Sequence, residues 1–161
     1  MDCKIVKKSA FDILEKVEMH SVVGGANVRS IPDFWDRAKT DGTEDCLWGI
    51  AEDKTLIFGV CYGEEDEKGD FEYSIAVKCA SDAGAPEGYR KNTVPERTWA
   101  VFPCCGAMPT AIQNLWKRIF REYFPTSEYK PTGEMEIEAY ADGDASAPDY
   151  YSEIWIPVCK K

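Results

Sequence analysis

The chain has 161 residues, and 44% of them are apolar, which is enough to build one core of ordinary size. Acidic residues outnumber basic residues by 29 to 19, which gives a net charge of −10. This charge repels a phosphate backbone and argues against nucleic acid as a direct partner. No apolar run approaches the roughly 18 residues of a membrane helix, and the N-terminus lacks a signal-peptide core. We therefore expect one cytoplasmic domain over residues 1–161, with no membrane partner.

The first half is predicted to be a strand, a helix and a hairpin. Its predicted elements are a strand over Phe11–Val22, a turn at Gly24-Gly25, a helix with Ser30 as N-cap, and strands over Thr55–Tyr62 and Phe71–Cys79. The acidic loop Gly63–Asp70 joins the two hairpin strands. The segment Thr43–Asp53 gives no clear pattern, and Ala80–Pro95, rich in Gly, Ala and Pro, is predicted to connect the halves.

The second half repeats this order. Its predicted elements are a strand over Thr98–Cys104, a helix over Pro109–Phe124 that Pro125 stops, and strands over Glu134–Ala141 and Glu153–Cys159. Both helices are amphipathic, with apolar residues at i, i+3, i+4 and i+7. Each helical stripe contains one tryptophan, Trp35 or Trp116, which we interpret first as a core anchor between helix and sheet.

Matching residues in the two halves lie 81 positions apart. Three pairs carry most of the weight: Trp35 with Trp116, Glu72 with Glu153, and Gly25 with Gly106. Such spacing is typical of a duplicated unit. The sequence therefore predicts an α+β fold of two β-α-β-β units, about 1–80 and 96–161, related by a pseudo-twofold axis. We expect antiparallel sheets, two main helices packed on the outside, and a ligand cleft between the halves.

Cysteine and histidine usage argues against several chemistries. The seven cysteines include no CxxC motif and their number is odd, so we expect reduced packing residues and no metal or other cofactor. The pair Cys104-Cys105 is either redox sensitive or part of a tight turn with incidental thiols. His20 is the only histidine, which excludes Ser-His, Cys-His and two-histidine metal sites. We expect it at the surface of a strand end.

The last predicted strand carries a carboxylate beside an indole. Alternation places Ile154, Ile156 and Val158 on one face and Glu153 and Trp155 on the other. The aliphatic face should cover the helix, so Glu153 and Trp155 are expected in the space between the halves, within reach of Tyr140. A carboxylate in an aromatic cleft favours hydrophobic cations, because a cation removes its desolvation penalty. Alternatively, Glu153 lies in water at the sheet margin.

Several short motifs resemble one family along most of the chain. They are Thr98–Cys104, Leu115–Ile119, Phe124–Tyr129, Glu153–Val158 and the acidic hairpin Gly63–Tyr73. Together they are similar to the GyrI-like, or AraC effector-binding, family of bacterial small-molecule-binding domains. The resemblance implies a duplicated unit with a multidrug-type cleft and makes Glu153 its buried polar anchor. It also implies aromatic walls, for which we propose Trp155, Tyr140, Trp99, Tyr73 and Tyr62.

Three functions follow from this resemblance. The first is binding of a lipophilic, possibly cationic, small molecule by a stand-alone sensor or sequestering protein. Many relatives in transcription regulation also carry a helix-turn-helix region, and we expect the duplicated domain to leave no residues of this chain for one. The second is a hydrolase that opens cyclopropyl-quinone-type toxins, with Glu153 as general base and Tyr140 or Tyr73 as hydrogen-bond donor. The third is an acidic inhibitor of a DNA-processing enzyme, which would use the loops Glu64-Glu65-Asp66-Glu67 and Asp142–Asp149.

Overall fold

The computed structural model describes residues 1–63 and 65–161, which form nine strands and four helices. The strands are β1 (Lys4–Lys8), β2 (Phe11–Ser21), β3 (Leu56–Cys61), β4 (Asp70–Cys79), β5 (Arg90–Val94), β6 (Arg97–Cys105), β7 (Tyr129–Pro131), β8 (Glu136–Ala141) and β9 (Tyr151–Lys160). The helices are α1 (Asn27–Thr40), α2 (Thr43–Ile50), α3 (Thr110–Arg118) and the short α4 (Phe124–Thr126). A 3-10 turn (Val23–Gly25) precedes α1, and a π-helical turn (Ile119–Tyr123) joins α3 to α4.

One antiparallel sheet contains both halves of the chain. Its strand order is β1-β6-β9-β8-β3-β4-β2-β5, with β7 paired to β9. The order is symmetric about the central pair β3 and β8, because β9 and β6 flank β8 as β4 and β2 flank β3. The two repeated units are therefore β2-α1-β3-β4 and β6-α3-β8-β9. The predicted fold class, two β-α-β-β units with antiparallel pairing and outer helices, is confirmed.

The helices cover one face of this sheet in two separate groups. Phe34 and Ala38 of α1 and Leu47 of α2 pack on the first half of the sheet. Ile112 and Leu115 of α3 pack on the second half together with the aliphatic face of β9. The predicted amphipathic stripes are therefore the buried faces of α1 and α3. A space remains between the two groups above strands β3 and β8.

The other face of the sheet closes on itself. Strands from both edges contribute to one hydrophobic cluster that includes Ile13, Phe58, Val94, Trp99 and Trp155. The sheet is therefore strongly curled, because β5 and β6 lie near opposite ends of the strand order. No helix of the described residues is both long and apolar enough to cross a membrane.

A buried ion pair lies on this inner, helix-free face. The carboxylate of Glu15 has no exposed surface and accepts hydrogen bonds from Tyr62 Oη at 2.5 Å, Ser74 Oγ at 2.7 Å and Arg90 Nε at 2.8 Å. Arg90 also donates to Glu72 at 2.9 Å. Burial and the hydrogen bond to Glu15 raise the pKa of Tyr62. This network fastens β5 to β2 and β4.

Local details depart from the sequence prediction at several places. Strands β1, β5 and β7 were not predicted, helix α2 lies in the segment that gave no clear pattern, and the segment assigned to a connector, Ala80–Pro95, contains β5. Helix α1 begins at Asn27 rather than after Ser30, because Gly24 and Gly25 turn the chain earlier with positive φ values. The Ser30 hydroxyl instead lies 2.7 Å from Nδ1 of His20. His20 is 4% exposed and not a surface residue; burial lowers its pKa.

Candidate functional site

A cleft of about 1050 Å³ lies between the two helix groups. Its walls come from α1 and α2 on one side and from α3 on the other, and strands β3 and β8 form its floor. Trp35 of α1 and Trp116 of α3 both line it. Most of the exposed lining is apolar, and the volume suits a drug-sized molecule. The cleft thus lies at the pseudo-twofold position predicted for a ligand site.

The pairing of β3 with β8 sets the cleft floor. Gly59 lies opposite Glu138, and Ile57 lies opposite Tyr140. Side chains alternate along a strand, so Glu136, Glu138 and Tyr140 all point to the helix side. All three line the cleft. The floor therefore combines two carboxylates with one phenol.

Glu138 accepts two side-chain hydrogen bonds on the cleft floor. Its Oε1 accepts a hydrogen bond from Trp116 Nε1 at 2.6 Å, and its Oε2 accepts one from the hydroxyl of Tyr140. Burial, followed by the charge of Glu138, raises the pKa of Tyr140 well above its usual range, so the phenol remains a donor. These two hydrogen bonds hold the carboxylate in one position on the cleft floor.

On the opposite wall, the equivalent indole donates to a neutral hydroxyl and not to a carboxylate. Trp35 Nε1 donates to the hydroxyl of Tyr73 at 2.8 Å. Gly59 makes the contact possible, because a Cβ on that residue would collide with Tyr73 Oη and lie 3.3 Å from Trp35 Cζ2. Tyr73 is 4% exposed, and burial raises its pKa well above its usual range. The two indoles are thus held in place from opposite walls.

Acidic side chains dominate the charge of the cleft. Glu44, Glu136, Glu138, Asp36, Asp142 and Asp144 line it, and Lys39 is the one cation among the described lining residues. Lys39 is itself within 3.9 Å of Asp36. Burial is the first cause that raises the pKa of Glu44 and of Glu136, and Glu138 raises that of Glu136 further. The cleft is therefore an apolar space with an uncompensated negative floor.

Glu153 lies on the other side of the sheet. It pairs with Ala139, whereas Glu138 pairs with Ile154. Directly paired residues of an antiparallel ladder point to the same side, so Glu153 shares the inner face with Ala139. The expectation that Glu153 lies on the cleft floor is wrong. The alternation along β9 was correct, but the register with β8 places this carboxylate and Tyr140 on opposite faces.

Glu153 is half-buried on the inner face, paired with Pro103 of β6 and Ala139 of β8, so it does not lie in water at the sheet margin either. Its two carboxylate oxygens accept hydrogen bonds from Tyr151 Oη at 2.5 Å and from Trp155 Nε1 at 2.6 Å. Tyr151 is 44% exposed. The structure therefore does not bring Glu153 together with Tyr140 and Tyr73, the two tyrosines proposed to assist it in catalysis.

The proposed aromatic walls divide between the two faces. Tyr73 and Tyr140 line the cleft. Trp155 and Trp99 belong to the inner hydrophobic cluster with 7% and no exposed surface, respectively, and Tyr62 packs against that cluster. The inner face has its own open concavity of about 720 Å³, lined partly by Trp155. Tyr62, Trp99 and Trp155 thus lie away from the cleft.

Four cleft residues were not proposed from the sequence as ligand-binding residues: Trp35, Trp116, Glu136 and Glu138. The 81-residue spacing of the two tryptophans was the available signal, since both lie at the edge of a helical stripe and are only half-buried. The acidic loop Asp142–Asp149 contributes Asp142 and Asp144 to the cleft rim. In the other acidic loop, Glu64 lies outside the described residues.

Solved structures share this fold. SAV2435 bound to tetraphenylphosphonium superposes with a TM-score of 0.85 and 24% identity, covering 99% of this chain and 94% of that one. A Staphylococcus aureus MU50 protein assigned to bacterial transcription regulation gives 0.78 and 24%, with 98% of both chains covered. The Vibrio cholerae integron cassette protein VCH_CASS2 gives 0.66 and 18%, with 98% and 95% covered.

No match to a curated protein was found. Residues 4–158 match the family described as Cass2, integron-associated effector binding protein, which lies within the GyrI-like superfamily. The predicted resemblance is therefore confirmed, and the chain belongs to the Cass2 family of integron-associated effector binding proteins.

Proposed function

We propose that the protein binds a lipophilic cation in the cleft between α1 and α3, with Glu138 as the anchor. The observation that carries this proposal is a carboxylate held by Trp116 and Tyr140 on the floor of an aromatic cleft. A cation with aromatic substituents would stack on the indoles and compensate the carboxylate at the same time. Glu138 thus takes the anchoring role that the sequence assigned to Glu153.

The charge of the cleft supports a cationic rather than an anionic or neutral ligand. The lining carries six carboxylates and one ammonium group in the described residues. A neutral ligand would leave the buried carboxylates without hydration or a counter-charge, which costs free energy. A cation avoids this cost. The tetraphenylphosphonium ion bound by SAV2435 has the same chemistry, an apolar body around one positive charge.

The Glu138 environment favours binding over hydrolysis. Both carboxylate oxygens of Glu138 already accept hydrogen bonds, an arrangement that suits a fixed anchor better than a general base, which needs an oxygen aimed at water. The hydrolase alternative also needs Glu153 beside Tyr140 and Tyr73, and these lie on different faces. The loop Asp142–Asp149 was considered as a docking surface for a DNA-processing enzyme. Its residues Asp142 and Asp144 line the rim of the cleft, which gives the negative charge of this loop a role in attracting a cation.

Calorimetric titration tests the proposal. We expect methyltriphenylphosphonium to bind the wild-type protein and its neutral analogue triphenylphosphine oxide to bind at least about tenfold more weakly, the size of one desolvated charge interaction. Glu138→Gln should remove most of this preference. Glu153→Gln is the matched control, a glutamate one register position away on the other face, and should leave affinity unchanged. Equal affinities for Glu138→Gln and wild type would reject Glu138 as the anchor.

A further inference from the structure

The cleft floor contains a second carboxylate that one cation on Glu138 does not compensate. Glu136 and Glu138 are alternate residues of β8, so their side chains leave the same face of the strand about 7 Å apart, the rise of two residues. Both line the cleft.

The two carboxylates have different surroundings. Glu138 accepts hydrogen bonds from an indole and a phenol, whereas within residues 1–63 and 65–161 no side chain donates to Glu136. The residue paired with Glu136 across the sheet is Cys61, whose pKa burial raises to about 11, so this neighbour is a neutral thiol. After burial, the charge of Glu138 raises the pKa of Glu136, and the charges of Glu136, Glu138 and Glu65 add to the raised pKa of Cys61. Glu136 therefore meets only neutral or negative neighbours.

The size of the cleft leaves room for a second charged group. Its lining follows β8 from Glu136 to Ala141, a distance of about 17 Å for five residue steps. The volume of about 1050 Å³ reaches the upper end of small-molecule pockets. Trp35 and Trp116 face this length from both walls. The cleft is therefore long enough for an elongated aromatic molecule that carries two charged groups.

We propose that the cleft is built for an aromatic dication whose two positive groups, about 7 Å apart, pair with Glu136 and Glu138. This inference rests on the proposed function and specifies its ligand class. A monocation placed on Glu138 displaces water from Glu136 without giving it a counter-charge of its own, so Glu136 is either desolvated alone or takes up a proton, and part of the binding free energy is lost. A dication of this span removes both costs.

A matched pair of probes tests the proposal. Dibenzyl-4,4′-bipyridinium carries two cationic nitrogens at a comparable separation, and the corresponding monocation has one charged ring replaced by phenylene. We expect the dication to bind wild type at least about tenfold more tightly than the monocation, as one additional ion pair at low dielectric predicts. In Glu136→Gln this ratio should fall to near one, while monocation affinity stays or improves. Glu87→Gln, which removes an exposed charge outside the cleft lining, should keep the wild-type ratio.

The outcomes separate this inference from the proposed function. If neither probe binds the wild-type protein, cation binding itself is wrong. If both bind with equal affinity, or if the ratio survives Glu136→Gln, cation binding stands and the two-carboxylate site is rejected. Thermal unfolding of each variant without ligand shows whether the substitution has disturbed the fold.

Discussion

The indole nitrogens of Trp35 and Trp116 face one cleft from opposite walls and donate to unlike acceptors. Trp35 donates to the hydroxyl of Tyr73 at 2.8 Å and Trp116 to the carboxylate of Glu138 at 2.6 Å. The duplicated fold places equivalent side chains at the two positions, but their partners differ in charge. The cleft is therefore symmetric in shape and asymmetric in electrostatics.

This asymmetry makes Trp35→Phe a natural control for Trp116→Phe. Removing the donor to Glu138 leaves that carboxylate free to turn away from a bound cation, so we expect Trp116→Phe to bind methyltriphenylphosphonium about tenfold more weakly than wild type. Trp35→Phe should bind it nearly as tightly as wild type, since the partner that it loses is a neutral hydroxyl. Calorimetric titration of both variants checks this, and equal affinities for the two would contradict it.

Gly59→Ala should destabilise the protein and loosen the Trp35 wall. The added methyl group meets the Tyr73 hydroxyl and has little space beside Trp35, so we expect a loss of about 1–3 kcal/mol in unfolding free energy, typical of overpacking. Gly49→Ala is the control, because nothing lies within 4 Å of its Cβ and the residue is helical. It should be neutral or stabilising by up to about 1 kcal/mol. Urea denaturation of both variants distinguishes the two effects.

Arg90→Ala should be strongly destabilising because it leaves Glu15 buried without its cation. Removing one partner of a buried ion pair typically costs about 3 kcal/mol or more of unfolding free energy. Because Arg90 is partly exposed, we expect a loss close to this lower value. Adding Glu15→Gln in the Arg90→Ala background should recover much of the loss. Arg37→Ala, which removes an exposed pair with Glu18, should change little. Denaturant midpoints that are equal for Arg90→Ala and Arg37→Ala would show that the buried charge is compensated otherwise.

The buried carboxylate of Glu136 should make the folded protein less stable as the pH rises. Its pKa is near 4.5 in the unfolded chain and higher in the folded protein, because burial and Glu138 disfavour the charge. Within the window from about 4.5 up to the raised pKa, the folded state binds more protons than the unfolded state, so unfolding free energy falls with increasing pH. The difference in stability between Glu136→Gln and wild type should therefore grow across this window and then level off. A difference independent of pH would contradict the raised pKa.

The sequence was sufficient for the repeat, the helix stripes and the strand alternation, because each depends on residues close together in the chain. It was not sufficient for the site. Whether Glu153 or Glu138 faces the cleft depends on the parity of the β8–β9 register, and a shift of one residue exchanges the two faces. Strands β1 and β5 were missed for a related reason. Both are short edge strands with charged residues, and long-range pairing rather than local pattern makes them strands.

The central pairing of β3 with β8 also limits how the two halves of the chain can move relative to each other. Both halves belong to one continuous antiparallel sheet, and β1 of the first half is also hydrogen-bonded to β6 of the second. A hinge motion that separates the halves would break backbone hydrogen bonds at both pairings. The separation of the two halves of the cleft floor is therefore set by backbone hydrogen bonds before any ligand binds.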